Sequence, residues 1–219
     1  MKLWTNAAVP DVVRARRFEL VDAAGQVRAS LGMTPNGTAG LGLWDAADKM
    51  RVSLTVAPDG SPALMLLDAA RKLRASLEVN PDGSAGLALS DGSEQRRAVL
   101  TVLTDGSSDL MLLDAARKPR ASLNVAPDGS PALMLLDAAG KTRAGLTVLT
   151  DGSPSLMLLD AAEKPRASLT VDSDGSPGLT LSDVAGKLRV EFNTAEDTTR
   201  RKPFLVLFDG DGNVVWQAP

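Results

Sequence analysis

The 219-residue sequence contains no Cys, no His, no Tyr and no Ile, and aromatic residues make up only 3% of it. Without Cys and His, the usual structural zinc sites, thiolate nucleophiles and disulfide frameworks cannot be built. Imidazole acid–base catalysis and every Ser-His-Asp arrangement are excluded with them. No segment approaches the ~18 consecutive apolar residues of a membrane span. The first residues, Met1 to Asn6, lack the apolar core of ~7–15 residues that a secretory signal needs. A charge excess is also missing. Lys and Arg total 24 against 27 acidic residues, a net charge of −3, which gives no electrostatic basis for binding nucleic acid or an anionic membrane. The absence of Cys decides nothing about compartment, and the cytoplasm or an assembled particle both remain open.

What the sequence has is self-similarity. Asp22, Asp45, Asp68, Asp91, Asp114, Asp137, Asp160 and Asp183 recur at intervals of 23, and so do Arg28, Arg51, Arg74, Arg97, Arg120, Arg143, Arg166 and Arg189. Gly37, Gly60, Gly83, Gly106, Gly129, Gly152 and Gly175 keep the same interval, six of the seven preceded by Asp. A fixed period of this size marks a repeat architecture. Three regions follow: an N-terminal cap over 1–21, eight repeats over 22–192, and a long loop with a C-terminal capping hairpin over 193–219. The hairpin restates the pattern in degraded form, as Phe204 to Asp209.

Each unit alternates two short apolar runs with two turn signals. Arg74-Ala75-Ser76-Leu77-Glu78-Val79 has period 2, with Ala, Leu and Val on one face, as in a β-strand. It ends at Asn80-Pro81-Asp82-Gly83, which suits a type I turn with a bulge. The run Leu64 to Leu67 ends at Asp68-Ala69-Ala70, a second hairpin signal. Pro or Gly punctuates the chain every ~12 residues, too often for helices. The expected fold is all-β: tandem two-strand repeats forming an antiparallel meander of hairpins. The alternative is a parallel two-sheet solenoid, in which residue i stacks on residue i+23. Turn chemistry favours the meander, and so does the Arg series, which a solenoid would stack at ~4.8 Å. The odd repeat length counts against it, because one loop must be odd and the other even to keep a single core face.

The second strand of each unit carries a constant Leu pair, such as Leu64/Leu66 and Leu133/Leu135. On the opposite face four units place Met65/Leu67, Met111/Leu113, Met134/Leu136 and Met157/Leu159. Strands apolar on both faces are covered on both faces. The Met/Leu stripe is therefore the candidate self-association face of a homo-oligomer, with a trimeric prism as one arrangement. The alternative is a two-layer core within one chain. Aromatics concentrate at the ends, and Trp4, Phe18, Phe192, Phe204, Phe208 and Trp216 are the candidate caps of the stack. Trp44 and Trp216 also suit stacking on a glycan.

The acids obey the repeat and occupy turn positions, so their first reading is local turn fixation. Asp209-Gly210-Asp211-Gly212-Asn213 opens like a calcium loop, but its sixth position is Val214 and no Glu follows at the twelfth. No catalytic residue, metal site, cofactor or small-molecule substrate is expected, and no phosphate-binding Gly loop is present. Arg14, Arg16 and Arg17 form one basic cluster, and Arg200, Arg201 and Lys202 another.

The pattern Asp-Ala-Ala-Gly-Lys-x-Arg followed by x-Pro-Asp-Gly-Ser, running from residue 22 to 189, resembles the tandem hairpin repeats of YD/Rhs-type bacterial proteins. The constant register also looks like a shaft segment of bacterial or phage fibres. That resemblance implies β-sheet shells or surface structures and transfers no catalytic residue. Together these readings point to a non-enzymatic, rigid structural or interaction scaffold, one that could self-assemble into a fibre. The competing reading is a surface module binding a glycan or a calcium-dependent ligand.

Overall fold

A computed structural model describes residues 12–194 and 204–218. It contains eighteen strands and, among the described residues, no helix; the first is β1 (Arg17–Val21) and the last β18 (Val214–Ala218). The chain divides between Pro81 and Asp82 into two compact units. The first holds β1 to β6 (Leu73–Val79), each strand pairing antiparallel with the next. The second runs from β7 (Ala85–Ser90) to β18 in the same manner. The meander is the fold, and the parallel solenoid is not.

The parity problem has a local solution. Both hairpins of a unit use five-residue loops with one backbone pattern: Ala57 N–H donates to Ser61 O and Gly60 N–H to Ala57 O, while Asp68 N–H donates to Lys72 O and Arg71 N–H to Asp68 O, all at 2.9 Å. Two odd loops would swap the faces at every unit. The register shows what prevents it. Leu66 pairs with Ala75 but Leu67 with Leu73, so Arg74 is an extra residue, a β-bulge. Arg28, Arg51, Arg97, Arg120, Arg143, Arg166 and Arg189 are skipped in the same way. The 23rd residue of the repeat is the bulge, and the bulge is the Arg.

Among the described residues no second layer covers either unit's strands from within that unit, and the apolar core is correspondingly small. Among the described residues only Ala88 and Val206 are buried hydrophobics. Cross-strand pairing takes over part of that role. Met134 lies between Ser122 and Gly145 in register, Met157 between Gly145 and Ser168, and Met65 between Ser53 and Ser76. Long thioether chains flanked by small neighbours fill that face and leave the methionines half-buried.

Candidate interaction surfaces

The repeated acids close loops. Asp68 Oδ1 accepts from the N–H of Ala70 at 2.8 Å and of Lys72 at 3.0 Å. The other oxygen of such an Asp pairs with the bulged Arg, at 2.8 Å for Arg51–Asp45 and 2.7 Å for Arg120–Asp114. The guanidinium then reaches onward. Arg28, Arg97, Arg143 and Arg166 donate to the carbonyls of Asp45, Asp114, Asp160 and Asp183, each in the next hairpin of the same edge. Lysines reinforce the step: Lys49 Nζ donates to Ala69 O at 3.0 Å and Lys141 Nζ to Ala161 O at 3.1 Å. Backbone N–H donation, first from the residue four places on, holds these carboxyls below the usual carboxylate range, and the Arg adds to it. The acids that dominate the sequence are thus saturated by their own loops. In the last described hairpin the bulged residue is Val215 in place of an Arg.

The two sheet faces differ in a way that composition does not show. In β11 (Pro131–Leu136) Leu133 and Leu135 are exposed, whereas Ala132, Met134 and Leu136 are half-buried. The same alternation holds along the second unit, where thirteen strand leucines on this face are 37–50% exposed. Register aligns them in rows: Leu110 opposite Leu123, Leu123 opposite Leu133, Leu133 opposite Leu146, and Leu146 opposite Leu156. Together they present on the order of 1,000 Å² of aliphatic surface, beyond what a soluble monomer leaves open. Met65, Leu67, Met111, Leu113, Met134, Leu136, Met157 and Leu159 all lie on the opposite, better-filled face and are half-buried.

Of the aromatic positions, Phe18 is exposed on β1 and Trp216 on β18, while Phe204 and Phe208 are half-buried on β17 (Phe204–Phe208). Phe192 is exposed on β16 (Leu188–Asn193) and continues the leucine rows, opposite Leu179 and Leu205. Trp4 lies outside the described residues, as do Arg200, Arg201 and Lys202. Trp44 lies over the backbone of Gly42, where a Cβ would meet its ring at 2.3 Å. Gly42 is required there for a close approach.

On the face opposite the leucines, a cleft of about 460 Å³ opens over β9 (Ser108–Leu113), β10 (Pro119–Val125) and β11. Asp109 is its one charged lining residue, and Met111, Met134 and Leu136 form apolar walls. Asp109 stands directly opposite Asn124 on one side and Thr101 on the other. The Asn124 Oδ1 is buried and has no hydrogen-bond partner among the described residues. Burial pushes the Asp109 carboxyl up from its ordinary value. Sequence reasoning passed over this site, though a signal was present: the equivalent residues are Gly40, Ala63, Gly86, Ala132, Ser155 and Gly178, all small. Among the described residues no group of three or more acidic side chains is placed to hold a metal ion.

Comparison with known proteins assigns the chain to no family. No family model matches it. No curated protein matches it either, so membership of the YD/Rhs-type family is not shown. Among solved structures it is similar to the TCP10 domain of Danio rerio CPAP in complex with a peptide of STIL, at 13% identity and a TM-score of 0.41, covering 92% of this chain and 98% of that one. It is also similar to the TCP domain of Drosophila melanogaster SAS-4 in complex with a proline-rich motif of Ana2, at 12% identity and a TM-score of 0.44, covering 81% and 97%.

Proposed function

We propose that the chain is a non-enzymatic protein-interaction scaffold that works as a homo-oligomer, its leucine face packed against the same face of a second copy. The exposure of the leucine rows carries this reading. A face of on the order of 1,000 Å² per copy matches a standard protein interface, about 800 Å² per partner. Identical rows at the strand spacing are self-complementary about a two-fold axis, and two such sheets stack at ~10 Å with side chains interdigitated. Clamped loops and saturated acids fit a stiff support and leave no free acid–base pair for catalysis at the repeated positions.

The second reading keeps the Met/Leu stripe as the interface, and neighbouring residues separate the two. Light scattering of the intact chain is expected to give a mass of at least a dimer. Leu133→Asp should reduce it to one chain while circular dichroism still shows a β-sheet, and Met134→Asp should leave the mass unchanged. The opposite pattern would assign the interface to the stripe. A wild-type monomer at tens of micromolar overturns self-association through either face.

A further inference from the structure

We infer that the Asp109 cleft is a docking pocket for one cationic side chain, lysine or arginine, of an extended peptide segment in a protein partner. Asp109 carries a charge at a repeat position that is otherwise held by small residues, and nothing among the described residues uses that charge. No hydrogen-bond donor or cation among the described residues pairs with it, whereas the Asp of every clamped loop is saturated. A half-buried carboxylate without a donor costs the fold stability. The buried, unpartnered Oδ1 of Asn124, directly across the ladder, is a second acceptor awaiting a donor. The walls set the rest of the ligand's shape, because Met111, Met134 and Leu136 offer apolar contact to an aliphatic stem. A long stem ending in a positive head matches that arrangement. The volume of about 460 Å³ lies in the range of ligand pockets.

The cleft lies on the face opposite the leucine rows, since Asp109 and Met111 alternate with Leu110 and Leu112 along β9. It stays accessible when that face is covered, and only the choice of a peptide as the source of the side chain rests on the interaction-scaffold reading. Failure of self-association would therefore not touch it.

The test uses the intact chain with 13C-methyl-labelled methionine. It is titrated with N-acetyl-lysine methylamide, N-acetyl-arginine methylamide and, as the uncharged isostere, N-acetyl-norleucine methylamide. A cationic probe is expected to shift the Met111 and Met134 methyl signals saturably in the millimolar range, at least fivefold more tightly than norleucine. Asp109→Asn should bring that probe to the norleucine level while raising the melting temperature, because the fold loses an unpaired half-buried charge. A carboxylate with a purely structural role would do the reverse on stability. Equal binding of charged and neutral probes, no saturation by any probe, or undiminished binding to Asp109→Asn each overturns the proposal.

Discussion

The two hairpin edges of each repeat share one loop backbone and differ in what holds it. On the Asp-Ala-Ala edge, one carboxylate accepts two loop N–H groups and pairs with a bulged Arg that reaches the next loop. On the Pro-Asp-Gly edge the Asp accepts from one loop N–H, as Asp128 does from Ser130 at 2.9 Å. The left-handed position follows this division. On the clamped edge it is filled by Asp48, Arg71, Glu94, Arg117 and Glu163 at φ of 56–64°, or by Gly. On the other edge it is Gly throughout the seven internal turns, at φ of 87–90°. Side chains with a Cβ resist this region, so they occur where several bonds over-determine the loop. An edge that clamps its loops tolerates strain; an edge that does not relies on Gly.

Acid should produce the largest effect and discriminate between the edges. The loop carboxyls have folded pKa values lowered by their donors, against an unfolded value of ~3.9. The stability they contribute is therefore complete above about pH 4–5 and is lost as pH falls through the folded values. The urea midpoint should be flat from pH 7 to 5 and fall steeply below pH 4. Asp137→Asn should flatten that fall more than Asp128→Asn, because Asp137 has the additional N–H and the Arg143 pair. A midpoint that rises toward pH 2, or equal slopes for the two variants, would break the comparison.

A smaller effect isolates the backbone. A Cβ at Gly129 or at Gly140 meets nothing within 4 Å, so substitution at either tests conformation without sterics from neighbours. Gly129→Glu, on the unclamped edge, is expected to cost about 1–2 kcal/mol. Gly140→Glu should cost about 1 kcal/mol or less, since five repeats already hold a side chain there. Chemical denaturation reads the difference, and equal costs would show that the clamp lends the loop nothing.

Much of this was legible in the sequence. Period-2 runs such as Arg74 to Val79, bounded by Pro-Asp-Gly and Asp-Ala-Ala, identify strands and hairpins because each turn type demands its own residues. The constant Arg was legible as a repeat but not as a bulge. Its role depends on skipping one ladder position, a pairing fact that a list of residues does not contain. The faces were harder still. The Leu and Met positions are equally apolar, and only the flanking Ser and Gly in neighbouring strands make Met134 half-buried while Leu133 stays open. Asp109 was visible as a departure from the small residues at its equivalent positions in the other repeats. Its solitude was not, because that depends on which donors the fold leaves out of reach.

The smallest effect runs in the opposite direction and tests the comparison from the clamped side. If Glu163 sits at φ of 59° only because its loop is over-determined, then removing its Cβ should release strain while every clamp bond persists. The loop N–H bonds to Asp160 come from Ala162 and Lys164, and the ion pair comes from Arg166. None of these needs the Glu163 side chain, whose Oε1 accepts a long, exposed bond from Thr142 N–H at 3.4 Å, outside the loop. Glu163→Gly should stabilise the chain by about 0.5–1 kcal/mol, the left-handed relief being partly offset by the greater freedom of Gly when unfolded. The gain should persist at high salt, where an electrostatic origin would be screened. Destabilisation by Glu163→Gly would mean that its side chain holds the loop, and that the tolerance of this edge arises in the residue itself and not in the clamp around it.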